Sequence, residues 1–236
     1  MKRPGIVTAL LPEAACLTDN PVINTPIQLT DQVSLYITGM GSDRIEHGVE
    51  QLLVAGVDAL VTIGTAGALH PGLSPGTCLI PEQVIRHDLA TYDFTADWRS
   101  RALKNLSDAP MTTHTGNLAH TDSILCSIEE KSALHQKTGA IAVDMESAVV
   151  AALANEKNLP VLALRFVVDS ASMVIPESVL AQSDPFGNVG LVNLFLSLLK
   201  RPGEIPDLIK LGKGFRSASN NLRWLGHHVE KILLSP

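Results

Sequence analysis

"AVDMESAVVAALA", residues 142–154, places two carboxylates, Asp144 and Glu146, around Met145 inside a segment otherwise built for burial. A carboxylate beside an interior segment is costly unless it is paired or solvated. Either the two acids lie on a loop, or they face a cleft and do chemistry; their spacing alone does not decide. The residues before them, "GAIAVDM" (139–145), have strand length, and those after, "ESAVVAALANEKN" (146–158), are rich in helix formers. The stretch reads as a strand emptying into a helix.

The same unit recurs along the chain. Apolar runs of strand length lie at 5–11, 33–39, 58–64, 76–85, 139–145 and 159–168. Several are apolar at consecutive positions, as in strands covered on both faces. Helical patterns fall between them. "SDRIEHGVEQLLVAG" (42–56) has a cap candidate in Ser42 and a stop at Gly56, and "SILCSIEEKSALHQKTG" (123–139) stops at Gly139. This alternation predicts an α/β fold of three layers around a central mixed, largely parallel sheet. No repeat or linker divides the chain, so residues 1–236 read as one domain. Residues 183–236 form a helical extension of it, broken into two or three helices by "RPGEIPD" and "GKG".

Composition narrows the function. The 236 residues are 45% hydrophobic and carry a net charge of −6, without the basic face of a nucleic-acid binder. Cys16, Cys78 and Cys126 are odd in number and lack metal-type spacing, which predicts a reducing compartment, no disulfide framework and no metal site. The apolar run after Lys2 and Arg3 ends at Pro12 and Glu13, too short for a signal core. The longest uncharged apolar run, 187–199, is short of the roughly 18 residues of a spanning helix. A cytoplasmic protein is expected.

In parallel α/β sheets, ligands bind at the carboxyl ends of the strands. The predicted strands end in Glu13, in "GMGS" (39–42), in "GTAGAL" (64–69), in Asp144, Met145 and Glu146, and in Asp169 with Ser170 and Ser172. Each signal has an ordinary reading. "GMGS" opens many strand-to-helix turns, "GTAGA" permits close packing, Asp169 can cap a turn, and Glu13 can be a solvated first-turn acid. Their convergence is more specific, since three carboxylate-bearing ends and two glycine-rich ones surround a ligand well.

"TIGTAGAL" (62–69), "AVDMESAVVAA" (142–152) and "LRFVVDSAS" (164–172), in this order and spacing, resemble the nucleoside phosphorylase and nucleosidase superfamily. That family includes purine nucleoside phosphorylase and methylthioadenosine/S-adenosylhomocysteine nucleosidase. The resemblance covers roughly residues 5–172. "SDPFGNVGLVNLF" (183–195) further resembles the hopanoid-associated branch, for which adenosylhopane is the expected substrate. The resemblance implies a phosphorylase/hydrolase-like fold and cleavage of a nucleoside's N-glycosidic bond through an oxocarbenium-like sugar. It implies Asp169 as the acid at purine N7, Glu146 as the grip on the ribose hydroxyls, and Met145 packed against the sugar. Glu13 would activate water, as in inverting glycosidases one carboxyl assists departure and another activates water. Thr65 and Gly67 would border the substrate, and Asp144 would contact it or support the site. No cofactor is implied, and phosphate enters as co-substrate only in a phosphorylase. Members of the family are usually dimers, trimers or hexamers, so the resemblance implies a homo-oligomer.

Three departures bear on this expectation. The family's phosphorylases carry an arginine three positions before the threonine that is Thr65 here, and this chain has Thr62, which favours hydrolysis. Gly41 and Arg44 are the alternative anion-binding candidates, Arg44 being otherwise a solvated helix residue, and Arg165 supports site or structure. In "HTGNLAHTD" (114–122), Ala119 and His120 replace the compact nucleosidases' stacking aromatic and its neighbour. His120 either lines the purine site or is a plain loop histidine. The run 189–199 suits a lipid-like substrate or peripheral membrane contact, or else a buried helix. The expected activity is a purine nucleosidase. The alternatives are a phosphorylase, a methylthioadenosine/S-adenosylhomocysteine nucleosidase or, remotely, a non-catalytic nucleoside binder.

Overall fold

The structure, a computed structural model, describes residues 3–176, 186–187 and 202–234. Its backbone is an eleven-stranded mixed sheet organised on β4 (Ala59–Ala68). Along its first half β4 pairs in parallel with β1 (Pro4–Thr8), which pairs with β3 (Ser34–Ile37) and through it with β2 (Ile27–Gln28). On its other side it pairs in parallel with β11 (Val161–Asp169), every residue of which is buried. The consecutive apolar residues of "LPVLALRFVV" are therefore covered on both faces.

Successive side chains of the inner strands supply two cores. Ile6, Ile37, Val61, Ile63 and Leu164 face one side, where α3 (Ala96–Asn105) and the C-terminal helices α6 (Ile205–His227) and α7 (Val229–Leu234) contribute Trp98, Ala102, Leu222, Leu225 and Ile232. Val7, Tyr36, Leu60 and Ala163 face the other. There α2 (Ser42–Val54) and α5 (Ser147–Glu156) bring Ile45, Val49, Leu52, Val150 and Ala151. The result is the expected three-layer α/β arrangement.

Several boundaries differ from the sequence reading. "GTAGA" is not a turn: β4 runs on through it, because Gly64 and Gly67 leave room for the side chains of Glu13, Arg165 and Asp169 to press on the strand. The second half of β4 then pairs antiparallel with β10 (Ala142–Asp144), and β10 joins in parallel to β9 (Leu118–His120). The run 76–85 splits at Pro81 into β5 (Cys78–Leu79) and β6 (Gln83–Ile85). β7 (Thr91–Asp93) and β8 (Thr113–His114), like β2 and β9, are too short to show a period.

Helix starts move as well. Gly41, at φ 112°, precedes α2 and Ser42 is its first residue, while Gly56 at φ 86° follows its end. α4 (Ile128–Thr138) starts at Ser127 rather than Ser123. Ser127 Oγ accepts from Glu130 N, and the Glu130 carboxylate accepts from Ser127 N.

The C-terminal helix is unbroken at "GKG". Gly214 lies where α6 crosses β11, and a Cβ there would come 1.8 Å from the Val168 carbonyl oxygen. The glycine that read as a helix stop is a contact point. The other proposed break, "RPGEIPD" (201–207), holds a 3₁₀ turn, Pro202–Glu204, and its last three residues are the first of α6. The apolar run 189–199 lies outside the described residues.

Overpacking here has a clear expected cost. Gly214→Ala should lower stability by about 1–3 kcal/mol, because helix and strand must separate. Gly212→Ala, on the exposed face of the same helix with nothing within 4 Å, should raise it by about 0.5–1 kcal/mol. Urea denaturation of the two variants checks both signs.

Candidate active site

The carboxyl ends of β1, β4, β10 and β11 meet at a cavity of about 240 Å³. Glu13, Thr65, Gly67, Asp144, Met145, Glu146 and Asp169 all line it. Because β10 runs antiparallel to β4, Val143 pairs with Gly67 and the chain carries Asp144 back toward the middle of β4.

Glu13 reaches the cavity from α1 (Leu11–Ala14), the single turn after β1, and is buried. One carboxylate oxygen accepts from the Thr65 amide at 2.7 Å and the Thr65 hydroxyl at 2.9 Å. The other accepts from the Thr8 hydroxyl at 2.9 Å and the Leu10 amide at 3.2 Å. Glu13 thus ties β1 to β4 and is no solvated helix acid.

Arg165 is 2% exposed, and its guanidinium lies among the acids. Nε stands 2.6 Å from Asp144 Oδ2 and donates to Ser147 Oγ at 3.0 Å. One terminal nitrogen donates to Thr62 Oγ1 at 2.6 Å and lies 3.9 Å from Glu146. A Cβ at Gly64 would fall 2.3 Å from the other terminal nitrogen and 3.1 Å from both Glu13 oxygens. Gly64 is therefore required by the approach of Arg165 and Glu13 to the strand. Thr62, where the resembled phosphorylases carry arginine, here accepts a hydrogen bond from a guanidinium that β11 supplies.

Glu146 follows β10 and keeps 15% exposure. Burial, with smaller contributions from Asp144 and Glu13, pushes its pKa up to about 8 against the pull of Arg165. Asp169 ends β11, buried, with Gly67 leaving room for its carboxylate. Its Oδ2 accepts from Lys131 Nζ at 2.5 Å. Burial raises the Asp169 pKa above the usual carboxylate range, and the ammonium opposes it.

Lys131 was invisible to sequence reasoning, being 38 residues from Asp169 in an ordinary-looking helix. The wall residues Leu211 and Phe215, from α6, were equally hidden. Among the described lining residues Phe215 is the one aromatic, while Ala119 is fully buried and off the cavity. Leu10, Met40, Ile124, Leu125 and Ile175 make most of the remaining wall apolar.

Three candidates stand off this cavity. His120 lines a separate cleft with Arg86, His87 and Asp122, its Nε2 3.6 Å from Asp122. Burial lowers its pKa, and Asp144 and Asp122 oppose that shift. Gly41 precedes α2, and Arg44 lies over the Phe186 ring at 5.2 Å. Among the described residues no group of three or more His, Cys, Asp or Glu side chains could hold a metal ion. Nor is any helix among them long and apolar enough to cross a membrane.

The chain belongs to the phosphorylase superfamily, whose family model matches residues 26–186. It is 31% identical to the DeoD-type purine nucleoside phosphorylase of Streptococcus gordonii over 190 residues, 75% of this chain and 79% of that protein. Its fold is shared with a 5′-methylthioadenosine/S-adenosylhomocysteine nucleosidase from S. pneumoniae, solved with a transition-state inhibitor. That likeness has a TM-score of 0.69 at 22% identity and covers 100% of both chains. A putative nucleosidase of the same type from Francisella philomiragia gives a TM-score of 0.72 at 18% identity, over 98% of this chain and 99% of that one.

The acid cluster around Arg165 makes a stability prediction. Arg165→Met should cost about 3–5 kcal/mol at pH 8, because it strands buried carboxylates. Without the guanidinium those carboxyls take protons more readily in the folded state, so the variant should regain stability as pH falls toward 5. Denaturant titrations at the two pH values measure the difference.

Proposed function

We propose that the protein is a purine nucleosidase that hydrolyses the N-glycosidic bond of an adenosine-containing nucleoside and releases adenine. The observation that carries this reading is the charge balance of the cavity. Four carboxyl groups, those of Glu13, Asp144, Glu146 and Asp169, border it, and the two cations among them, Arg165 and Lys131, are already engaged by those acids, which leaves neither to bind an anion. Such a site favours a neutral nucleoside and a water molecule over a phosphate anion.

In this reading Asp169 gives a proton to N7 as the C1′–N9 bond breaks and its electron pair leaves with the base. Glu146 accepts from the ribose hydroxyls, and Met145 packs on the sugar. Water adds at C1′ from the opposite face and loses its proton to Glu13. Both Glu13 oxygens are already hydrogen-bonded, so it must first release a donor, and the 3.2 Å bond from Leu10 is the longest of the four. No cofactor enters this chemistry.

The apolar wall formed by Leu10, Ile124, Ile175, Leu211 and Phe215 supports a hydrocarbon group on the substrate. With the resemblance of the 183–195 segment, this leads us to adenosylhopane and a place in hopanoid biosynthesis. Homo-oligomeric assembly and peripheral lipid contact through the C-terminal extension belong to the same reading. The second reading, phosphorolysis, is favoured by the 31% identity to the S. gordonii phosphorylase.

Adenosine supplied with and without phosphate separates the two. Hydrolysis yields ribose at the same rate in both, whereas ribose 1-phosphate formed only with phosphate would overturn the proposal. Asp169→Asn should lower kcat on adenosine by about 10²–10⁴-fold.

Glu146 also sets a pH dependence. Below about 8 it is largely neutral, and the ionised form is the one that accepts both ribose hydroxyls. KM for adenosine should therefore fall as pH rises through about 8. Glu146→Gln should hold KM high and flat across pH 6–9, which steady-state kinetics would reveal.

A further inference from the structure

We infer that Lys131 is a positioning residue for departure of the base, holding the Asp169 carboxyl and stabilising the anion left when that carboxyl gives up its proton. The inference rests on the nucleosidase reading above and assigns that site a group from outside the superfamily motifs.

Placing a lysine there is costly. Lys131 is 1% exposed, and of the eleven residues of α4 it is the buried one. Helices ordinarily bury an apolar stripe, and α4 instead turns its lysine inward. Lys131 also lies near the helix N-terminus, four residues past the Ser127 cap, where the helix dipole disfavours a cation. A buried ion pair is weak evidence of stabilisation, since the desolvation of both charges offsets their attraction. Stability alone gives no reason for the choice.

Lys131 Nζ donates to Asp169 Oδ2, to the Ser170 carbonyl at 3.1 Å and to the Met173 carbonyl at 2.8 Å, which uses all three of its hydrogens. The ammonium is fixed from three directions, and it fixes in turn the segment that follows β11. It engages one carboxyl oxygen of Asp169 and leaves Oδ1 for the base. Asp169 lines the cavity beside Gly67.

The chemistry follows from that placement. When the C1′–N9 bond breaks, the electron pair goes to the purine and the proton on Asp169 passes to N7. Asp169 becomes a carboxylate in a buried setting, where a preformed cation is worth far more than in water. Lys131 keeps its own protons throughout, and its attraction grows as the proton leaves. It therefore stabilises the transition state more than the bound substrate.

A leaving group that needs no proton tests this. The parent protein and Lys131→Met are compared on adenosine and on 4-nitrophenyl β-D-ribofuranoside, whose phenolate departs unaided, with thermal melts alongside. The expected result is a loss of about 10²-fold or more in kcat on adenosine with less than about 5-fold on the nitrophenyl riboside. Equal losses on both substrates would mark Lys131 as structural and overturn the inference, as would an unchanged rate on adenosine. If Lys131→Met does not fold, Lys131→Arg carries the same comparison. The retained cation should then keep at least about a tenth of the adenosine rate, and a uniform loss on both substrates again overturns the idea. Parent protein that cleaves neither substrate would sink the nucleosidase reading itself, a result distinguishable from any failure of Lys131.

Discussion

One buried guanidinium holds the centre of this molecule together. Arg165 rises from β11 between β4 and β10 and engages Asp144, Ser147 and Thr62, with Glu146 at 3.9 Å and Glu13 across Gly64. Without that charge, three carboxylates could not converge in so dry a place, because each would face the others with no compensating cation. Glycine at position 64, the antiparallel return of β10 and the burial of Glu13 all follow from this meeting. The acids that give the site its chemistry and the cation that makes them tolerable are parts of one structure.

The two ends of the cavity differ in the way that the proposed cleavage of a glycosidic bond asks for. At one end Asp169 is pushed by burial toward its neutral, proton-donating form while Lys131 limits the shift. At the other, Glu13 accepts four hydrogen bonds, from Thr65, Thr8 and Leu10. Glu146 lies between these regimes, near the pH at which it changes charge. Carboxylic acids of similar intrinsic strength thus sit in different environments, and the proposed mechanism uses them as donor, acceptor and clamp.

Much of this was legible in residue order, and the reasons are physical. Continuous apolar runs marked the strands that are covered on both faces, and a left-handed glycine at 139 marked the end of α4. "AVDMES" announced a strand giving way to a helix with acids at the join. The short strands β2, β7, β8 and β9 were not legible, because two or three residues show no period. "GTAGA" and "GKG" misled for one shared reason. Glycine reads locally as a break, yet here it makes room for a neighbour that local sequence does not contain.

The sequence by itself determined the fold class and the family, and it named the acids Glu13, Asp144, Glu146 and Asp169 as belonging together. These are matters of period and motif, carried by residues near one another in the chain. Only the tertiary structure decided what surrounds each acid. Lys131 reaches Asp169 from 38 residues away, Arg165 replaces from β11 a charge absent at Thr62, and Phe215 enters the wall from the C-terminal helix. Burial and long-range pairing set the proton affinity of a carboxyl, and both arise only when distant segments pack.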